Sequence, residues 1–97
     1  MIVHIVMFRF KDEDKSSNIL IVQERLNSLI GKIPTLKMME VGVNFSQEGR
    51  AFDLSLYSTF DTKEDLKVYA VHPEHLKVVE LIKQVTIESK VVDYILE

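Results

Sequence analysis

The sequence holds three histidines, and two of them fall in one short stretch, Tyr69-Ala70-Val71-His72-Pro73-Glu74-His75, while His4 stands near the start. An imidazole titrates close to neutral pH and so can take up or release a proton, and a phenol can hold or protonate an oxygen. Burial, with the partial positive charge of a helix N-terminus, predicts a neutral ring at His75. His75 as base and Tyr69 as oxygen partner, enclosed in an apolar cavity, would suit abstraction of an acidic C–H beside carbonyl groups, followed by aldol-type ring closure. The same residues also admit a purely structural arrangement. His72 could cap a helix, His75 could bond a backbone carbonyl, Tyr69 could be a core aromatic and His4 a satisfied core histidine. Both arrangements stand on sequence alone. His72 and His75 approach metal-ligand spacing, but Glu74 between them should point elsewhere, so no metal is expected. The three glycines are isolated, so there is no phosphate-binding loop. With no cysteine there is no thiolate nucleophile and no Cys-based zinc site, and no cofactor is implied.

The elements that must carry these residues follow from hydrophobic spacing. Residues 2 to 11 read as a central strand, with Ile2, His4, Val6, Phe8 and Phe10 on one face and Val3, Ile5 and Met7 on the other. Ser16 and Ser17 can cap a helix whose apolar stripe is Ile19, Val22, Leu26, Leu29 and Ile33, with Gly31 as its left-handed exit and Pro34 as its stop. Leu36 to Phe45 reads as a second strand, and Phe52, Leu54, Leu56 and Phe60 alternate with Asp53, Ser55, Tyr57 and Thr59 in a third. Thr62 to Asp65 resembles a capping box for a helix carrying Leu66 and Tyr69 inward. Pro73 breaks that helix and starts another, with Leu76, Val79, Ile82 and Thr86 as its inward stripe. Lys90 to Glu97 closes the chain as a strand.

Ninety-seven residues suffice for a single domain, 1–97, and no composition shift marks a boundary. The order β-α-β-β-α-β, with few glycines and prolines to allow long loops, predicts an α+β, ferredoxin-like protomer. Its four-stranded antiparallel sheet would have the first and third strands in the middle and helices on one face. Between sheet and helices, His4, Val6, Phe8 and His72 are then expected to line a ligand site next to His75 and Tyr69. Val3, Ile5, Met7, Val41, Val43, Phe45, Val91 and Ile95 are assigned to the uncovered face. So much apolar surface favours a homodimer packed sheet against sheet, since burial is worth about 25 cal/mol per Å².

Twelve Lys and Arg are scattered among fifteen Asp and Glu, a net charge of −3, which argues against nucleic acid. No run approaches the ~20 apolar residues of a membrane span. Met1-Ile2-Val3-His4 lacks the basic start of a signal peptide. A cytoplasmic location is therefore expected, with no membrane partner.

Several of these segments together resemble the stress-responsive dimeric α/β-barrel (Dabb) family. They are Ile2-Val3-His4-Ile5-Val6 with Phe8-Arg9-Phe10, Val41-Gly42-Val43-Asn44, Phe52-Asp53-Leu54 with Phe60, Tyr69 through His75, and Val92-Asp93-Tyr94. The resemblance spans nearly the whole chain and is most specific from Tyr69 to His75. It implies a ferredoxin-like protomer whose sheet pairs with that of a second copy. In the polyketide cyclases among its members, the equivalents of Tyr69 and His75 form a catalytic pair, with the equivalent of His4 lining the pocket; other members have no known activity. Wider relatives include cofactor-free monooxygenases and isomerases. Three functions follow as expectations: a binder of a small apolar or aromatic carbonyl compound, a cofactor-free enzyme, and a non-catalytic stability protein.

Overall fold

The computed structural model describes all residues, Met1–Glu97. The first strand, β1 (Ile2–Phe10), is paired on both sides, as its two apolar faces require. On one side lies β3 (Leu54–Phe60), with Val6 opposite Leu56, and on the other β4 (Thr86–Ile95), with Val6 opposite Val91. The strand β2 (Met38–Val43) adds to the far side of β3, giving the antiparallel order β2-β3-β1-β4. Three helices complete the chain: α1 (Lys15–Asn27), α2 (Lys63–Val71) and α3 (Pro73–Val85). Direct partners share a face, so Ile2, Phe8, Leu54, Leu56, Phe60, Met39 and Val41 lie on one side of the sheet. There they form the core with Val22 and Leu26 of α1, Tyr69 of α2 and Val78 of α3. This is the expected ferredoxin-like plan.

The register corrects the assignment of the outer face. Val41 stands opposite Leu56, Val43 opposite Leu54, Val91 opposite Val6 and Ile95 opposite Ile2, so all four point to the helix side. Phe45 lies beyond the end of β2, 95% exposed. A shift of one residue turns every side chain of a strand over, and the phase of β2 and β4 is set by their partners, not by their own composition. The apolar residues of the helix-free face are Val3, Ile5 and Met7 with Tyr57, Val92, Tyr94 and Met38.

Helix ends differ from expectation in two places. α1 begins at Lys15 after Asp14, whose φ of 52° makes the tight turn, and the Ser17 hydroxyl donates back to the Asp14 carbonyl without capping an N–H. Aspartate is one of the few residues that enters the left-handed region readily. α1 also stops at Asn27. Leu29 and Ile33 remain buried in the turns that follow, where Gly31 takes φ 88°. α2 opens as expected, with the Asp65 N–H donating to Thr62 Oγ1 at 3.0 Å. In α3, Val78 is the buried residue, Leu81, Ile82 and Val85 pack against the core, and Leu76 is exposed. β4 follows at Thr86 with no loop, four residues earlier than the composition from Lys90 onward suggests.

Candidate functional site

Pro73 forces the preceding residue out of helical geometry, and His72 is extended at φ −64°, ψ 135°. Its ring turns back on α3, where Nδ1 accepts the Glu74 N–H at 3.1 Å. His72 is therefore a helix cap. His75 lies in the first turn of α3, with Nδ1 3.0 Å from the Ala70 carbonyl oxygen. A carbonyl can only accept, so Nδ1 carries the proton and Nε2 holds the lone pair. The register sets His4 opposite Asp93, and the carboxylate of Asp93 accepts from His4 Nδ1. His4 Nε2 is then the ring nitrogen not engaged by Asp93.

Tyr69, on the last turn of α2, packs among these groups. Its ring centroid lies 4.3 Å from that of His75, 5.1 Å from Phe60 and 6.4 Å from His4. The hydroxyl is enclosed and has no hydrogen-bond partner. Burial pushes the phenol above its ordinary pKa of 10, so it keeps its proton. Burial also lowers the pKa of His75; the bond to Ala70 opposes this, and charge on His4 or His72 would reinforce it. The result is a neutral imidazole beside a neutral phenol.

A slot of about 310 Å³ opens between α3 and the β1–β4 half of the sheet. His4 and His75 stand at one end, Val6, Phe8, Leu26 and Leu56 form apolar walls, and Lys83, Thr86 and Ser89 stand at the other end. Val79 and Ile82, expected on the inward stripe of α3, line the slot, and Ile82 also packs against the core. Of the residues expected here, His4, Val6, Phe8 and His75 share this surface. His72 does not, and Tyr69 lies against the imidazoles without reaching the wall. A larger hollow of about 500 Å³, between α2 and the Ile2 and Ile95 ends of the sheet, contains no imidazole; Asp93 lines it while bonding His4. The His4–Asp93 pair thus separates the two spaces. No three His, Asp or Glu side chains gather closely enough to hold a metal ion.

Sequence reasoning passed over Asp93 and Lys83. Asp93 is 89 positions from His4 and meets it only through strand register. Lys83 carries a weak signal, since it lies eight residues after His75, a spacing that keeps both on one broad face of a helix.

With the pocket located, residues 2–96 match the model of the stress-responsive A/B barrel domain. The chain belongs to the Dabb family. It is 35% identical over 80 residues to a stress-response A/B barrel domain-containing protein of Arabidopsis thaliana, covering 82% of this chain and 30% of that protein. A second Arabidopsis protein of the same description, 29% identical, is matched over 48% of its length, so this Dabb chain spans less than half of either plant protein. A dimeric ferredoxin-like protein of unknown function from Bacteroides fragilis superposes with a TM-score of 0.88 at 33% identity, over 96% of this chain and 93% of that one. The hydroxynitrile lyase of Passiflora edulis shares the fold, with a TM-score of 0.87 at 20% identity over 99% and 93% of the two chains. Solved structures similar to this Dabb chain thus include dimeric ferredoxin-like proteins. No helix of this chain is long and apolar enough to cross a membrane.

Proposed function

We propose that this Dabb domain binds a small apolar or aromatic carbonyl compound in the slot between α3 and the sheet. One observation carries the reading: the Tyr69 hydroxyl is enclosed with nothing to donate to, and its ring packs against His75 and His4, which line an apolar slot. A buried donor without a partner costs about 1–3 kcal/mol, so it is a feature that a ligand oxygen would relieve. A carbonyl is an acceptor without a donor, and the surrounding walls match an apolar body. Titration of the protein with small aromatic ketones, followed by backbone amide NMR, should shift resonances of α3, β1 and Tyr69. Shifts confined to the larger hollow, or none at all, would rule the reading out.

Catalysis is the second reading, favoured by the lone pair on His75 Nε2 in a ring whose lowered basicity keeps it free at neutral pH. In this scheme His75 takes a proton from the carbon beside the carbonyl, Tyr69 donates to the developing enolate oxygen, and His4, held by Asp93, lines the pocket. That His75 touches the slot while Tyr69 lies one layer behind means that a small side-chain adjustment would accompany binding. Deuterium exchange into a bound ketone should be catalysed by the wild type and lost in His75→Ala. Binding without exchange would leave a carrier, not an enzyme.

The same reading takes the functional unit to be a homodimer, in keeping with its dimeric structural relatives, working in the cytoplasm. Ile5, Met7, Tyr57, Val92 and Tyr94 form the surface that a second copy would cover. Val92→Glu, at an exposed position of the edge strand β4, should convert a dimer into a folded monomer by light scattering. A wild type that is already monomeric would remove this assembly.

A further inference from the structure

The two ends of the slot differ in charge. His75 and Lys83 stand on the same side of α3 eight residues apart, a span of about 12 Å at the helical rise. The facing strand repeats the spacing: His4, opposite Asp93, lies near His75, and Phe8, opposite Ser89, lies four residues further along. The ammonium of Lys83 is the only lining group of permanent charge, no carboxylate shares the wall, and Lys83 takes part in none of the ion pairs. The Thr86 hydroxyl proton is committed to the Ile82 carbonyl at 2.8 Å, which leaves the Ser89 hydroxyl as the free donor beside Lys83. Between the ends the surface is hydrocarbon.

We propose that the slot selects an elongated apolar carboxylic acid, with a carbonyl group at its far end directed to the Tyr69 hydroxyl beside His75 and His4 and its carboxylate held by Lys83. This rests on the reading of the slot as a ligand site and adds which class of ligand it takes. One cation with one hydroxyl matches a monoanion; a phosphate dianion would find too few donors. The lysine stem can lie along the apolar wall while its head meets the carboxylate at the mouth. Lys83 also sits in the last turn of α3, where a cation favours the helix dipole. That role would affect folding stability but not the choice between ligands, so the two are separable.

The test compares 8-oxononanoate with the neutral 2-nonanone and the short keto acid 4-oxopentanoate, by NMR titration of the intact protein. The wild type should bind 8-oxononanoate about tenfold more tightly than 2-nonanone, as a charge-assisted bond at a half-solvated site allows. Lys83→Gln should bring the two to parity without weakening 2-nonanone, and Lys83→Arg should keep the preference. Equal binding of both long probes by the wild type overturns the anion end and leaves the pocket intact. Tight binding of 4-oxopentanoate overturns the two-ended geometry. If no probe binds, the ligand-site reading itself fails and takes this proposal with it.

Discussion

α1 and α3 cover the same face of one sheet in opposite ways. Against α1 the layer is sealed, with Val22, Leu26 and the following Leu29 and Ile33 buried to 1% exposure or less. Against α3 only Val78 is buried, no residue of β4 is, and the space left over is the slot with its two imidazoles and its unpartnered phenol. Close packing is the ordinary condition of a protein interior, and each methylene removed from it is felt. An interior that fills one half while leaving the other open has assigned stability to the first and space to the second. The largest consequence should appear on the sealed side. Leu54→Ala, in β3 and 1% exposed, should cost about 2–5 kcal/mol in chemical denaturation. Ile82→Ala, on the slot, removes a side chain that is already partly in contact with solvent and should cost less than half as much. Equal losses would mean that the slot is as tightly packed as the α1 side.

Tyr69 tests the open side with the opposite sign. Its ring is packed among Phe60, His4 and His75, so Tyr69→Phe keeps the shape and deletes only the hydroxyl without a partner. Removing a buried orphan should raise stability by about 1–2 kcal/mol while weakening ketone binding about tenfold. A core aromatic whose hydroxyl serves no ligand would show the first effect without the second.

How much of this was legible in the sequence depends on whether the information is local. The strand β1, the third strand's alternation, the Thr62 cap and the break at His72-Pro73 all follow from residues within a turn of each other, and the structure has them where expected. The outer faces of β2 and β4 were misjudged because both are short on internal contrast. Met-Met-Glu-Val-Gly-Val and Val-Val-Asp-Tyr-Ile put apolar residues on both sides, so only pairing fixes their phase. The site divides the same way. His75 and Tyr69 are six positions apart and their approach is a property of two adjoining helices, whereas the His4–Asp93 bond spans the whole chain. His72 was expected among ligand contacts, yet the proline that places it also turns its ring onto the Glu74 N–H.

That assignment gives a smaller prediction. His72→Ala should lose about 1 kcal/mol, the ordinary worth of a helix cap, with no change in ligand affinity. His72→Asn, which can accept the same N–H, should recover most of it. A loss of affinity at unchanged stability would return His72 to the slot.

The smallest effect is a pH dependence, and its sign follows from the environment of His75. Burial holds the native imidazole below its ordinary pKa of 6.5, so the unfolded chain takes up this proton first. Above that value both states are neutral at this residue and stability is independent of it. As pH falls through 6.5, protonation favours the unfolded state and stability declines, until the native ring protonates in turn and the decline levels off. Urea midpoints measured from neutral pH to about pH 5 should therefore fall more steeply for the wild type than for His75→Gln, in which the titrating ring is absent. Parallel profiles would place His75 in an environment as wet as the surface, and the open side of the sheet would then lack the half-dry pocket that distinguishes it from the side sealed by α1.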